Sequence, residues 1–210
     1  MIRKLLLGAG ALSLGAGTLL GLGAGAAVAS TPVTMSGPIT CNSYGTMTFA
    51  TALHNGGRIP TDVSVATTLD HCTGTGTTNG PVTIVKGNLA VTSTSTVTNN
   101  CGAVTAGEAL PTMTGWITWT TTGGTARVSH VRFTTPYVYF DYNSNLLRFG
   151  FPATLTYGSY AHQPVAFSHE ASNTSADANT ALCTAGLGGL KTISFGQTPG
   201  GTAGTVTIGV

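Results

Sequence analysis

Threonine constrains this chain more than any other feature. There are 39 in 210 residues, 38 of them after residue 29, against only 14 charged side chains. Thr branches at Cβ and so favours extended backbone, while its hydroxyl can face water. A sheet faced with Thr stays wetted without many charges. The residue order fits this. In Asn88–Thr98, Leu89, Val91, Ser93, Ser95 and Val97 fall on one face and Thr92, Thr94, Thr96 and Thr98 on the other. That is the period of a half-buried strand, not of a helix. Thr205 and Thr207 alternate with Val206, Ile208 and Val210 in the same way, and Lys191–Phe195 puts Ile193 and Phe195 together.

Further strands are expected at Thr46–Thr51, Asp62–Thr68, Val82–Val85, Gly115–Thr121, Ala126–Thr134, Tyr137–Tyr142, Leu146–Phe151 and Tyr160–His169. The clearest hairpin is Tyr137–Phe151, turning through Asn143-Ser144-Asn145, residues that tolerate the left-handed conformation. About ten short strands between Gly-rich turns argue for two packed sheets or a closed barrel. The chain is expected to fold as an all-β, antiparallel β-sandwich, jelly-roll or Ig-like. One helical turn or two is expected near Ser175–Leu182.

The first thirty residues read differently. Arg3 and Lys4 precede Leu5-Leu6-Leu7 and a long Ala/Gly/Leu run that closes on Ala27-Val28-Ala29 before Ser30. This is the pattern of a secretory signal peptide over residues 1–29, leaving residues 30–210 as a single domain. Arg3-Lys4 is not a twin-arginine signature, and no cysteine follows Ala29 to carry a lipid. Without the leader, six basic residues balance six acidic ones. Such a balance offers no electrostatic footprint for nucleic acid. No later apolar run approaches the ~20 residues of a membrane-spanning helix.

Cys41, Cys72, Cys101 and Cys183 are an even set in a chain expected to be exported, the setting in which disulfides persist. No C-x-x-C pair occurs, which argues against a zinc knuckle or a redox motif. Three connectivities are open. The one favoured here pairs neighbours and ties the ends, Cys72–Cys101 and Cys41–Cys183.

An apolar strand into Cys72, Cys101 after a Gly/Thr-rich stretch, Ile117-Thr118-Trp119, a late Cys183 and a closing Leu190–Phe195 strand form a familiar series. Over Thr61–Val210 the chain resembles a group of small, uncharacterised secreted Thr/Gly-rich β-proteins of high-GC Gram-positive bacteria. The resemblance implies an exported β-protein and brings no functional residues. Phe133–Tyr160 departs from it, holding nine of the chain's fifteen aromatics.

That aromatic segment has two readings. In one, Val138, Phe140, Phe149 and Phe151 fill the core and tyrosines rim it with hydroxyls outward. In the other, exposed Tyr137 and Tyr139, beside Asp141 and Arg148, form a stacking platform for a neutral glycan. Trp116 and Trp119 lie three apart on one strand and must face opposite ways. Trp119, beside Ile117, is expected in the core, and Trp116 at the surface as a further ligand-binding candidate. His130, His162 or His169 with Asp141 or Glu170 offers the ligand types of a metal site, but their spacing matches no metal signature.

Catalytic motifs are absent from the sequence. Gly158-Ser159-Tyr160 lacks the second glycine of a nucleophile elbow. Nothing pairs the six carboxylates as glycoside hydrolysis would need. The chain is therefore expected to be a secreted or loosely wall-associated, non-enzymatic structural or binding protein. Its expected partner is a cell-wall glycan or other extracellular ligand held by Tyr137, Tyr139, Asp141 and Trp116, without a cofactor. The first alternative is a secreted hydrolase acting on polysaccharide or peptide. The second is an outer-envelope β-barrel, which Thr-rich faces disfavour because they make a poor lipid band.

Overall fold

The computed structural model of the chain describes residues 34–35, 38–77, 81–122, 126–168, 170–184, 186–196 and 204–209. The expected leader and His169 lie outside the described residues. In chain order the first strands are β1 (Thr34–Met35), β2 (Ile39–Leu53), β3 (Pro60–Thr61), β4 (Val63–Thr73), β5 (Thr75–Thr77), β6 (Pro81–Ser93) and β7 (Val97–Thr98). A short helix, α1 (Cys101–Thr105), precedes β8 (Ala106–Ala109), β9 (Met113–Thr121), β10 (Ala126–Phe133), β11 (Tyr137–Asp141) and β12 (Leu146–Gly150). Then follow β13 (Ala153–Gly158), β14 (Pro164–Ser168), β15 (Ala171–Ser175), α2 (Ala176–Ala181), β16 (Leu190–Phe195) and β17 (Gly204–Ile208).

Eight of these strands close a ring. Each pairs antiparallel with the next in the order β2, β4, β6, β9, β10, β13, β14, β17, and β17 returns to β2. This overturns the sandwich expectation. Alternation fixes which way each side chain faces, and a sandwich and a barrel share that pattern. What separates them is the last pairing, Gly204–Ile208 against Ser43–Ile39 on one side and against Ser168–Val165 on the other. Strand length matters too. β2 runs through 15 residues and β6 through 13, where the sequence suggests only short pieces.

Strand β2 also starts a second sheet. Its first residues pair with β17, and from Gly45 to Leu53 the same edge pairs with β16. From there the order runs β16, β15, β12, β11, β8. Phe151, just beyond β12, links the two sheets: its ring meets Phe133 and Phe167 of the barrel at 5.5 and 5.4 Å, and Phe149 and Phe195 of the second sheet at 5.7 and 5.5 Å. One continuous apolar cluster therefore spans both sheets.

The barrel interior is filled. Met47, Phe49, Val63, Val65, Leu69, Leu89, Val91, Ile117, Trp119 and Val131 are all buried, each contributing about 1.5–3 kcal/mol through the water it leaves. The outward positions of β2, β4, β6 and β9 include Thr46, Thr48, Ser64, Thr68, Asn88, Thr92, Thr114 and Thr118, all half-buried or exposed. An outer-envelope barrel has the reverse facing, with an apolar band outside. Among the described residues no helix is long and apolar enough to cross a membrane.

Trp119 is in the core as expected, and its packing explains a glycine. Gly87 stands opposite it on β6, and a Cβ there would lie 2.8 Å from the indole ring. The indole Nε1–H donates to Ser129 Oγ at 2.8 Å, and that hydroxyl donates to the Ser159 carbonyl.

Expected and observed elements agree at the Tyr137–Asp141/Leu146–Gly150 hairpin, where Asn145 has φ +51°. They agree again at α2, capped by the Ser175 hydroxyl accepting from the Ala178 N–H. The strand expected at Tyr160–His169 begins only at Pro164, because Tyr160 and His162 turn with positive φ. Strands β8, β13 and β15 and helix α1, capped by Asn100, are additions.

The disulfides are Cys41–Cys72 and Cys101–Cys183, so the favoured connectivity is corrected. The β2/β4 register brings Thr40 to Thr73 and Asn42 to Asp70, which sets Cys41 against Cys72. The Cys101 N–H donates to the His54 carbonyl and the Asn55 N–H to the Cys183 carbonyl, so the end of β2 gathers the second pair. Closing loops of 31 and 82 residues stabilises by roughly 3.7 and 4.5 kcal/mol on chain-entropy accounting.

Two outcomes follow from this packing. Non-reducing peptide mapping of the oxidised protein should recover Cys41 linked to Cys72 and Cys101 linked to Cys183. A Cys72–Cys101 peptide would contradict the β2/β4 register. Gly87→Val should destabilise by about 1–3 kcal/mol in urea unfolding through overpacking against Trp119, and an unchanged midpoint would contradict that contact.

Candidate functional site

The residues singled out from sequence do not converge. Tyr137, Tyr139 and Asp141 lie on β11 of the second sheet, whereas Trp116 lies on β9 of the barrel wall. Tyr137 and Tyr139 are 37% and 41% exposed, with ring centroids 6.1 Å apart and tilted by 36°. The Tyr137 ring is laid over Gly150 on the facing strand, where a Cβ would meet ring carbon at 2.2 Å. An aromatic covering a strand glycine in this way stabilises the sheet.

Asp141 is committed to its own hairpin. Its carboxylate accepts from Ser144 Oγ at 2.7 Å, the Asn143 N–H at 3.0 Å and Arg148 Nε at 3.1 Å. The Ser144 hydroxyl, then Arg148, hold it below the usual carboxylate range. Tyr139, Asp141, Arg148, Phe149 and Glu170 line an open hollow of about 390 Å³.

Glu170 is the opposite kind of carboxyl. It is 2% exposed, accepts from the Ser43 hydroxyl through Oε1, and packs against Gly204, and Oε2 has no hydrogen-bond partner among the described residues. Burial pushes its pKa up to about 7, against the Ser43 hydrogen bond, which lowers it.

The aromatic cluster at Trp116 is built by register. Trp116 on β9 faces His130 on β10, and His130 faces Tyr157 on β13. The His130 and Tyr157 rings stack at 4.4 Å and 8°, and both meet Trp116 edge-on, at 5.0 and 5.2 Å. Trp116 is 45% and Tyr157 50% exposed. Aromatic pairs in these geometries contribute about 0.5–1.5 kcal/mol beyond their area, so the rings brace one another as a preformed surface. His130 Nδ1 lies 2.6 Å from Thr156 Oγ1, and burial lowers the His130 pKa, keeping the ring neutral near pH 7.

His130 thus serves an aromatic surface. Among the described residues no three His, Cys, Asp or Glu side chains are grouped to hold a metal. His71 and Asp70 form an exposed pair at 3.0 Å, the kind worth little to stability. Sequence reasoning reached Trp116 but missed Tyr157. The available signal was Ala153-Thr154-Leu155-Thr156-Tyr157, which repeats the Thr alternation of the other strands.

Beside Trp116 and His130 opens a hollow of about 400 Å³, bordered by Ala66, Ala90, Thr92 and Thr114. No family, curated protein or solved structure matches the chain.

Glu170 makes stability depend on pH. Its folded-state pKa of about 7 stands above its ordinary value of 4.5, so its contribution is complete below pH 4.5 and is lost as pH rises toward 7. Urea unfolding should show a fall of roughly 2–3 kcal/mol between pH 5 and pH 8. Glu170→Gln should remove most of that slope, and an equal slope in the variant would refute the assignment.

Proposed function

We propose that the protein is a secreted, non-enzymatic binding protein that holds a neutral glycan at the outer surface of its barrel. The carrying observation is the braced, half-exposed Trp116–His130–Tyr157 cluster beside an open hollow. Sugar rings present C–H faces to aromatic rings and hydroxyls to side chains around them. Thr92 and Thr114 supply hydroxyls at this edge, and neutral His130 adds no charge. The expected leader and the two disulfides support an extracellular setting, where such bonds persist. The binding surface differs from the one expected on β11, because Tyr137 is spent on Gly150 and Asp141 on its turn.

Hydrolysis of polysaccharide is the second reading. The observation favouring it is one hollow bordered by two carboxyls of opposite tendency, Glu170 with its pKa raised to about 7 and Asp141 with its pKa lowered. Glycosidases use such a pair. Against it, both Asp141 oxygens are occupied within its turn, and Glu170 is sealed against Ser43 and Gly204.

A glycan array and cell-wall pulldown on the oxidised protein test the first reading. Trp116→Ala and Tyr157→Ala should each weaken retention at least about tenfold, the loss of a stacking contact of roughly 1.4 kcal/mol. Tyr137→Ala with Tyr139→Ala should leave it unchanged. The reverse pattern would return the site to β11. Release of reducing ends from a bound polysaccharide, abolished in Glu170→Gln, would favour the hydrolase.

A further inference from the structure

The Trp116 cluster stands at one end of a longer feature. In the barrel's register Trp116 faces Ala90, Ala90 faces Ala66, Ala66 faces Thr46, and Thr46 faces Ser194 of the second sheet. Both alanines are exposed. On each strand the next outward positions, two residues away, carry longer polar side chains such as Asn88, Thr92, Thr68 and Ser64. The two alanine methyl groups, between longer hydroxyl and amide side chains, leave a trench that runs across the strands from Trp116 to Thr46. Two open hollows, of about 400 and 450 Å³, share Ala66 as a bordering residue.

We infer that this trench binds an extended, linear, uncharged polysaccharide, with one sugar ring over each strand crossed. The inference rests on the glycan reading of the Trp116 cluster and adds the ligand's shape, charge and length.

Charge makes the first argument. Among the described residues no Asp, Glu, Lys or Arg borders either hollow, so nothing there recognises a phosphate, a uronic acid or a charged peptide. Backbone makes the second. A polypeptide strand docks by hydrogen-bonding a free sheet edge. The floor strands β4, β6 and β9 are paired on both sides over this stretch, which leaves no edge to extend. Spacing makes the third. Strands lie ~5 Å apart, close to the repeat of an extended pyranose chain. The trench crosses β9, β6, β4 and β2, so it spans about four rings. Its far end is closed by Tyr44, which is 42% exposed, and by Asn173 and Ser194. Asp70 beside the Tyr44 hydroxyl raises its pKa and keeps it a hydrogen-bond donor.

The test is titration of the oxidised, exported protein with β-1,4-linked glucose and N-acetylglucosamine oligomers of two to six units, read by Trp116 fluorescence and calorimetry. Affinity should rise at least about tenfold from two units to four, the worth of one good added hydrogen bond, and level off beyond four. Thr46→Trp, which fills the trench where it crosses β2 and borders only the far hollow, should erase that rise and leave two-unit binding intact. Circular dichroism checks that the variant is folded, and Ser194→Trp, also confined to the far hollow, serves as the second blocker if it is not. Equal affinity for two and six units, or a rise that survives both blockers, overturns the trench while the Trp116 site stands. No binding of any oligomer in either series overturns both.

Discussion

Every strand edge carries unpaired backbone donors and acceptors, and a protein must pair, cover or charge them. After the expected leader this chain has only 12 charged side chains for the task. Closure of the eight-stranded ring meets the constraint for most of the backbone: β17 enters between β14 and β2 and leaves no open edge over that span. The strands still at an edge are short, with four residues in β8 and two in β1. Thr can then cover the outside, because the wall needs only hydroxyls to stay wetted.

The second sheet depends on the same ring through β2. That strand's later half hydrogen-bonds β4 on one edge and β16 on the other. The phenylalanine cluster fills the junction where the two sheets diverge. Glu170 sits at this junction as well, between Ser43 and Gly204. Its burial is a consequence of how the sheets meet, and the raised pKa follows from that burial.

The candidate site is a product of register. Trp116, His130 and Tyr157 are 14 and 27 residues apart in the chain, and only the antiparallel pairing of β9, β10 and β13 sets them side by side. The two alanines beside them are set side by side likewise, by the pairing of β4 and β6. The barrel wall thus acquires a feature running across its strands, which no single strand could carry. The tyrosines of β11 looked more promising because they are close in sequence. Proximity along one strand made them visible, and packing on Gly150 gave Tyr137 another task.

Alternation was readable residue by residue. It set Trp119 inward and Trp116 outward and put Ile193 and Phe195 on one face, since facing is local and repeats every second residue. Even cysteine number was readable as disulfide bonding. Which cysteines pair, whether ten strands stack as two sheets or close as a ring, and which exposed aromatics meet were all decided by the tertiary structure. Each of these is a question of which strand lies next to which and at what offset. That offset is set by contacts between segments far apart in the chain, which a pattern of period two leaves free.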